Sequence, residues 1–147
     1  MPAWWQPQRL VLGIVGGALV GAVVSGYLTA VHYAHRPVYC GGLSSCETVN
    51  TSAYAEVMGV PVALLGLLAY LTIGGLALLR GRLPWAEPAL LTVAAAGALY
   101  SGYLTWVEVA VLRAICLWCV TSAVIITSIT VLATALVWRP GPSAHDR

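Results

Sequence analysis

The sequence predicts an all-α membrane protein: a bundle of four transmembrane helices, capped by an outer loop that carries a short amphipathic helix. Three observations support this. The 147 residues are 60% hydrophobic and only 8% charged, whereas a soluble domain carries about 25% charged residues. Apolar runs of the roughly 20 residues needed to cross a bilayer occur four times. The one long connection between them is rich in turn formers and polar side chains. Length suits a single integral membrane domain over 1–147. A net charge of +2, with no basic run, excludes a nucleic-acid partner.

The first run, Leu10–Tyr33, is longer than the 7–15-residue apolar core of a signal peptide. No small-x-small cleavage site precedes the loop, so a retained helix is expected. Gly13, Gly17 and Gly21 recur at four-residue spacing, which lets membrane helices approach closely. A 27-residue loop, Ala34–Val60, follows. Within it, "ETVNTSAYAEVMGVP" predicts a short amphipathic helix with Val49, Ala53 and Val57 on one side, lying flat as a roof over the bundle. The second run is Pro61–Leu79, and the turn "RGRLPWAEP" leads to the third, Ala89–Val107. The link "EVAVLRA" leads to the fourth, Ile115–Trp138.

Arginine placement sets the orientation. Arg9, Arg80, Arg82, Arg139 and Arg147 fall on one side of a four-helix arrangement, and Arg36 and Arg113 on the other. The richer side is expected to be cytoplasmic. Both termini then lie in the cytoplasm of a cell-membrane protein. The long loop and the link before Cys116 face outward, where disulfides persist.

A repeat supports the same arrangement. "GAVVSGYLTAV" (Gly21–Val31) and "GALYSGYLTWV" (Gly97–Val107) share eight of eleven positions at an offset of 76. The same offset carries Cys40 onto Cys116. A duplicated helix–cysteine–helix unit of one orientation brings both cysteine pairs to one surface. Tyr100, Tyr103 and Trp106 form an i, i+3, i+6 stripe, which fits an interfacial aromatic belt or a wall against a flat ligand.

The four cysteines form two pairs. Cys40 and Cys46 lie in "CGGLSSCETVNTS", whose glycines and serines favour an accessible loop. Cys116 and Cys119, in "RAICLWCVTSA", open the last apolar run. Positions i and i+3 share a helix face, and a helix N-terminus or a cation such as Arg113 stabilises a thiolate there. Three chemistries use such a set: structural disulfides, an irregular four-cysteine metal site, and a dithiol relay. In the relay, a mobile pair exchanges with an external protein thiol and a fixed pair meets an acceptor in the membrane. A quinone fits that acceptor, being apolar and taking two electrons with two protons. No haem-attachment CxxCH or dinucleotide-binding glycine motif is present. Asn50 and Ser52 fit capping or quinone contact. Glu47 and Glu56 are expected to be solvated, and His32 and His35 flank the end of the first helix.

Taken together, several features resemble the vitamin K epoxide reductase family. They are Cys40 and Cys46, Ser52 six residues later, "GVPVALLGLLAY" opening the second helix, "YLTW" ten residues before Cys116, and the CxxC. The spacing of the first pair is similar to that of bacterial members. The bacterial disulfide-bond formation protein B carries its CxxC and its spaced pair in the opposite order.

The resemblance implies four helices around a quinone of the ubiquinone or menaquinone type, with no metal. Cys40 would exchange with a separate thioredoxin-fold redox protein, and Cys46 would pass electrons to Cys116. Cys119 would reduce the quinone, forming disulfides in exported proteins. The tentative quinone contacts are Asn50, Ser52, Val62, Tyr103 and Ala123. Val62 and Ala123 stand where vertebrate members carry an Asn and a Tyr, which implies general quinone reduction over reduction of vitamin K epoxide. Many bacterial relatives carry a fused thioredoxin-like domain. Only nine residues follow Trp138 here, so the expected partner is a separate protein.

Overall fold

The computed structural model describes residues 6–37 and 52–138. Four helices dominate: α1 (Pro7–Tyr33), α2 (Val62–Leu79), α3 (Ala86–Trp106) and α4 (Leu117–Trp138). All four are long and apolar enough to cross a membrane. They close into a ring in chain order: α1 packs on α2 and α4, and α3 packs on α2 and α4.

Each helix is apolar all round, as membrane burial demands. Leu12, Val23, Leu78, Leu99 and Val131 point outward and are exposed, a surface that only lipid or a partner covers well. Hydroxyl groups in the spans are satisfied locally. Thr72, Thr92, Thr121, Thr127, Ser128, Thr130 and Thr134 each donate to the carbonyl four residues back, at 2.7–2.8 Å. In hydrocarbon, where water cannot solvate them, such internal partners are required.

One half of the bundle is closely packed. Leu10, Ile14 and Ala18 of α1 meet Ile73 and Ala77 of α2, Leu90 and Ala94 of α3, and Ile129 and Ala133 of α4. Gly21 marks where this core ends. A Cβ there would lie 2.3–2.6 Å from the Tyr70 ring, closer than any non-bonded carbon contact. Glycine at 21 therefore lets the Tyr70 ring of α2 come close to the α1 backbone. Gly21→Ala is expected to destabilise the bundle by about 1–3 kcal/mol, the usual cost of overpacking. A thermal melt in detergent measures it, and an unchanged midpoint would show that the ring yields freely.

The structure departs from the sequence expectation in two segments. Residues 52–61 do not form the amphipathic helix. Ala53–Ala55 make a single 3-10 turn, and Glu56–Val57 (β1) pairs antiparallel with Val60–Pro61 (β2). Met58 (φ 53°) and Gly59 (φ 81°) turn the hairpin. Two successive positive φ values are the signature of a type I′ hairpin turn, and they end any helix. Val49 lies outside the described residues. The third span also runs on: α3 continues as a π-helix over Val107–Leu112, past the boundary expected at Val107. Glu108, which reads as the end of an apolar run, sits inside it.

Candidate active site

The site grows from Glu108. A π-helix inserts one extra residue per turn, and such turns collect at functional sites. Here the wider turn directs the Glu108 side chain inward, leaving it 2% exposed. Its backbone carbonyl accepts the Arg113 N–H and the Ala114 N–H, the latter at 2.9 Å. Its carboxylate accepts the Cys116 N–H at 3.2 Å. One residue therefore holds both ends of the link 113–116. Arg113 takes the left-handed conformation, φ 50°, which is strained for a bulky side chain. Two bonds to the Glu108 carbonyl hold the chain there.

That link delivers Cys116 to the position just before α4. Its side chain is fully buried, and its Sγ accepts the Cys119 N–H at 3.3 Å. This is the geometry of a helix N-cap with sulfur as the acceptor. The Cys119 thiol also hydrogen-bonds the Cys116 sulfur, and this, chiefly, holds Cys116 below the ordinary thiol range. Burial and the nearby Glu108 charge oppose the shift. The sequence pointed to Arg113 as the activating cation, yet the leading contribution comes from the second cysteine. Trp118, between the two cysteines, packs on Tyr27 with ring centroids 5.0 Å apart, fastening the start of α4 to α1.

Beside the pair lies a cavity of about 270 Å³. Ser25 and Leu28 of α1 face it, with Val62, Gly66 and Tyr70 of α2. Tyr100, Ser101 and Leu104 of α3 form another wall, and Cys119 and Ser122 of α4 close the ring. Small residues on all four helices leave the space that the core half fills with Ile and Leu. Tyr70 spans the floor: its hydroxyl donates to the Ser122 carbonyl at 2.9 Å and lies 2.8 Å from the Ser122 Oγ. Ser52 and Tyr54 line the cavity from the cap. His32 at the end of α1 meets Glu56 of β1 at 2.9 Å, so Glu56 is paired where solvation alone was expected. Both side chains are partly exposed, and such pairs contribute little stability.

The repeated segments occupy matching places. Ser25 and Ser101 both face the cavity, as do Leu28 and Leu104. Thr29 and Thr105 donate to the Ser25 and Ser101 carbonyls, at 2.7 and 2.8 Å.

The Vitamin K epoxide reductase family model matches residues 12–134 of the chain. The chain belongs to this family. It is therefore a membrane oxidoreductase built as a helical bundle, in a family that generally uses quinone.

The residues singled out from the vitamin K epoxide reductase resemblance fall into three groups. Cys116 and Cys119 adjoin one another, Cys119 in the cavity wall, with Ser52 and Val62 also lining it. Cys40, Cys46 and Asn50 lie outside the described residues. Tyr103 and Ala123 are not among the lining residues. The cavity-facing positions of α3 and its π-turn are 97, 100, 101, 104, 105, 107, 108 and 112. Tyr103 falls between them and is 48% exposed. On α4 the stripe runs 119, 122, 126, so Ser122 faces in where Ala123 was expected. Glu108, Tyr70 and Ser122 were not anticipated, whereas Tyr100 belongs to the aromatic stripe read as a belt or as a wall against a flat ligand. Ser122 was findable, three residues after Cys119 on the same helical face. Glu108 was not, because an acid near the end of an apolar run reads as solvated.

Proposed function

We propose that this chain oxidises a separate thioredoxin-fold protein and passes the electrons to a membrane quinone, driving disulfide formation in exported proteins. The observation that carries the reading is Cys119 in the wall of a mainly apolar cavity between membrane helices. Its partner thiol, Cys116, is fully buried. A flat apolar ring suits that space, and the hydroxyls of Ser52, Tyr100, Ser101 and Ser122 supply polar contacts for carbonyl oxygens.

The route runs from outside inward. Cys40 exchanges with the partner, Cys46 passes the electrons to Cys116, and Cys119 delivers them. Each exchange proceeds by thiolate attack through a mixed disulfide. The depressed Cys116 thiol favours the thiolate, the form that attacks or leaves in exchange. The last step converts two thiols to the Cys116–Cys119 disulfide, and the quinone leaves as the hydroquinone with two electrons and two protons. The arginine distribution supports an outward-facing site with cytoplasmic termini.

The test is turnover. Purified chain supplied with a reduced thioredoxin-fold protein and a short-chain quinone consumes the quinone. A Cys46–Cys116 mixed disulfide accumulates when Cys119 is replaced. Quinone left untouched by the wild-type chain sinks the proposal.

A further inference from the structure

One buried titratable group has no part in that route. Glu108 is 2% exposed, and a buried carboxylate is costly unless its oxygens are bonded. The ion pairs among the described residues are His32–Glu56 and Arg80–Glu87, so among these residues no cation pairs with Glu108. Its partners are instead the two redox cysteines. It accepts the Cys116 N–H at 3.2 Å, and its side chain hydrogen-bonds the Cys119 thiol. It also lines the cavity.

Anchoring the link 113–116 does not require an acid. The backbone carbonyl of residue 108 already accepts two of the link's N–H groups, and an amide oxygen would serve Cys116 equally. What a carboxyl adds is a proton-exchanging group in contact with a thiol that must lose a proton, facing the space where a proton must arrive. Beside a carboxyl that is 2% exposed, that transfer is served by a positioned group.

We propose that Glu108 is a catalytic acid–base residue, accepting the Cys119 thiol proton and delivering it to the quinone oxygen. This rests on the quinone-reducing reading given above. The Cys119 S–H bond breaks as the Glu108 O–H bond forms. That O–H then breaks as the quinone O–H forms, and Glu108 returns to the carboxylate. The electron pair leaves the sulfurs as the Cys116–Cys119 bond closes. The second proton is the one given up by the Cys116 thiol. Two thiols and one quinone become one disulfide and one hydroquinone.

The test uses the reduced full-length chain mixed with a short-chain ubiquinone in detergent, over a single turnover. Glu108→Gln keeps the size and an acceptor for the Cys116 N–H. Its limiting rate is expected to fall about 100-fold, within the range for a lost general acid–base, while the half-saturating quinone concentration stays within about threefold. Glu108→Asp, which keeps the acid, retains more of the rate than Glu108→Gln. A second readout needs no quinone: the infrared difference spectrum between the dithiol and disulfide forms contains a carboxyl band that Glu108→Gln lacks.

A Glu108→Gln rate within about threefold of wild type overturns the proposal. So does a loss that appears in half-saturation alone, an equal loss in both variants, or a spectrum without that band. A wild-type chain that leaves the quinone unreduced fails earlier, and removes the reading beneath the proposal as well.

Discussion

Cys119→Ala is expected to abolish quinone reduction, with a fall of about 10³-fold or more, as when a covalent catalytic group is removed. Cys119 is the one sulfur in the cavity wall among the described residues, and Cys116 has no exposed surface. Cys116 therefore cannot substitute for it without rebuilding the start of α4. A second readout separates chemistry from damage. The Cys119 thiol is the main influence holding Cys116 down. In Cys119→Ala the thiolate absorbance of Cys116 should appear at higher pH than in the wild type. The sign follows because the lost hydrogen bond favoured the charged form, while the opposing effects of burial and Glu108 persist. Cys119→Ser keeps a hydroxyl donor and should leave Cys116 closer to its wild-type titration, although it too cannot reduce quinone. Full turnover in Cys119→Ala would remove this residue from the electron path.

Ser101→Phe is expected to weaken quinone use about tenfold or more in half-saturating concentration, equivalent to about 1.4 kcal/mol of binding. Ser101 faces the cavity from α3, and the space is only about 270 Å³. A benzyl group there occupies volume that a quinone ring needs. Exchange between the Cys116–Cys119 disulfide and a water-soluble dithiol should keep its rate, since Ser101 touches neither backbone bond that positions the pair. The matched control is Tyr103→Phe. Tyr103 lies outside the cavity lining, so its substitution should leave half-saturation within about twofold. If Tyr103→Phe is the damaging change and Ser101→Phe the silent one, the cavity is not the quinone site.

These two substitutions also mark what the sequence could reveal. The spans were legible because hydrocarbon imposes length and composition on every helix that crosses it. The CxxC was legible because spacing alone puts Cys116 and Cys119 on one face. Tyr103 and Ala123 show the limit. Each was chosen by aligned position or by membership of a stripe, and neither is among the residues lining the cavity, because the phase of a helix is set by what it packs against. The phase of α3 follows from Gly97 seating against Ile126, where an added Cβ would lie at 3.1 Å. No single-helix pattern contains that contact.

Glu108 and the cap were hidden for a different reason. Each depends on backbone conformations that local sequence does not announce. The π-turn over Val107–Leu112 is made worthwhile by the bonds of Glu108 to a segment up to eight residues later. Around Met58 and Gly59, the turn overrides a plausible helical periodicity. Residues that carry chemistry are where such local rules are expected to fail.

The most direct measurement is the stoichiometry of a single turnover. Reduced chain, freed of excess dithiol, is mixed with one equivalent of short-chain quinone and quenched with acid. Peptide mapping should find a Cys116–Cys119 disulfide, with one hydroquinone formed per disulfide. Hydroquinone formed without that disulfide, or a fully reduced chain beside unreacted quinone, would contradict electron transfer through this cysteine pair.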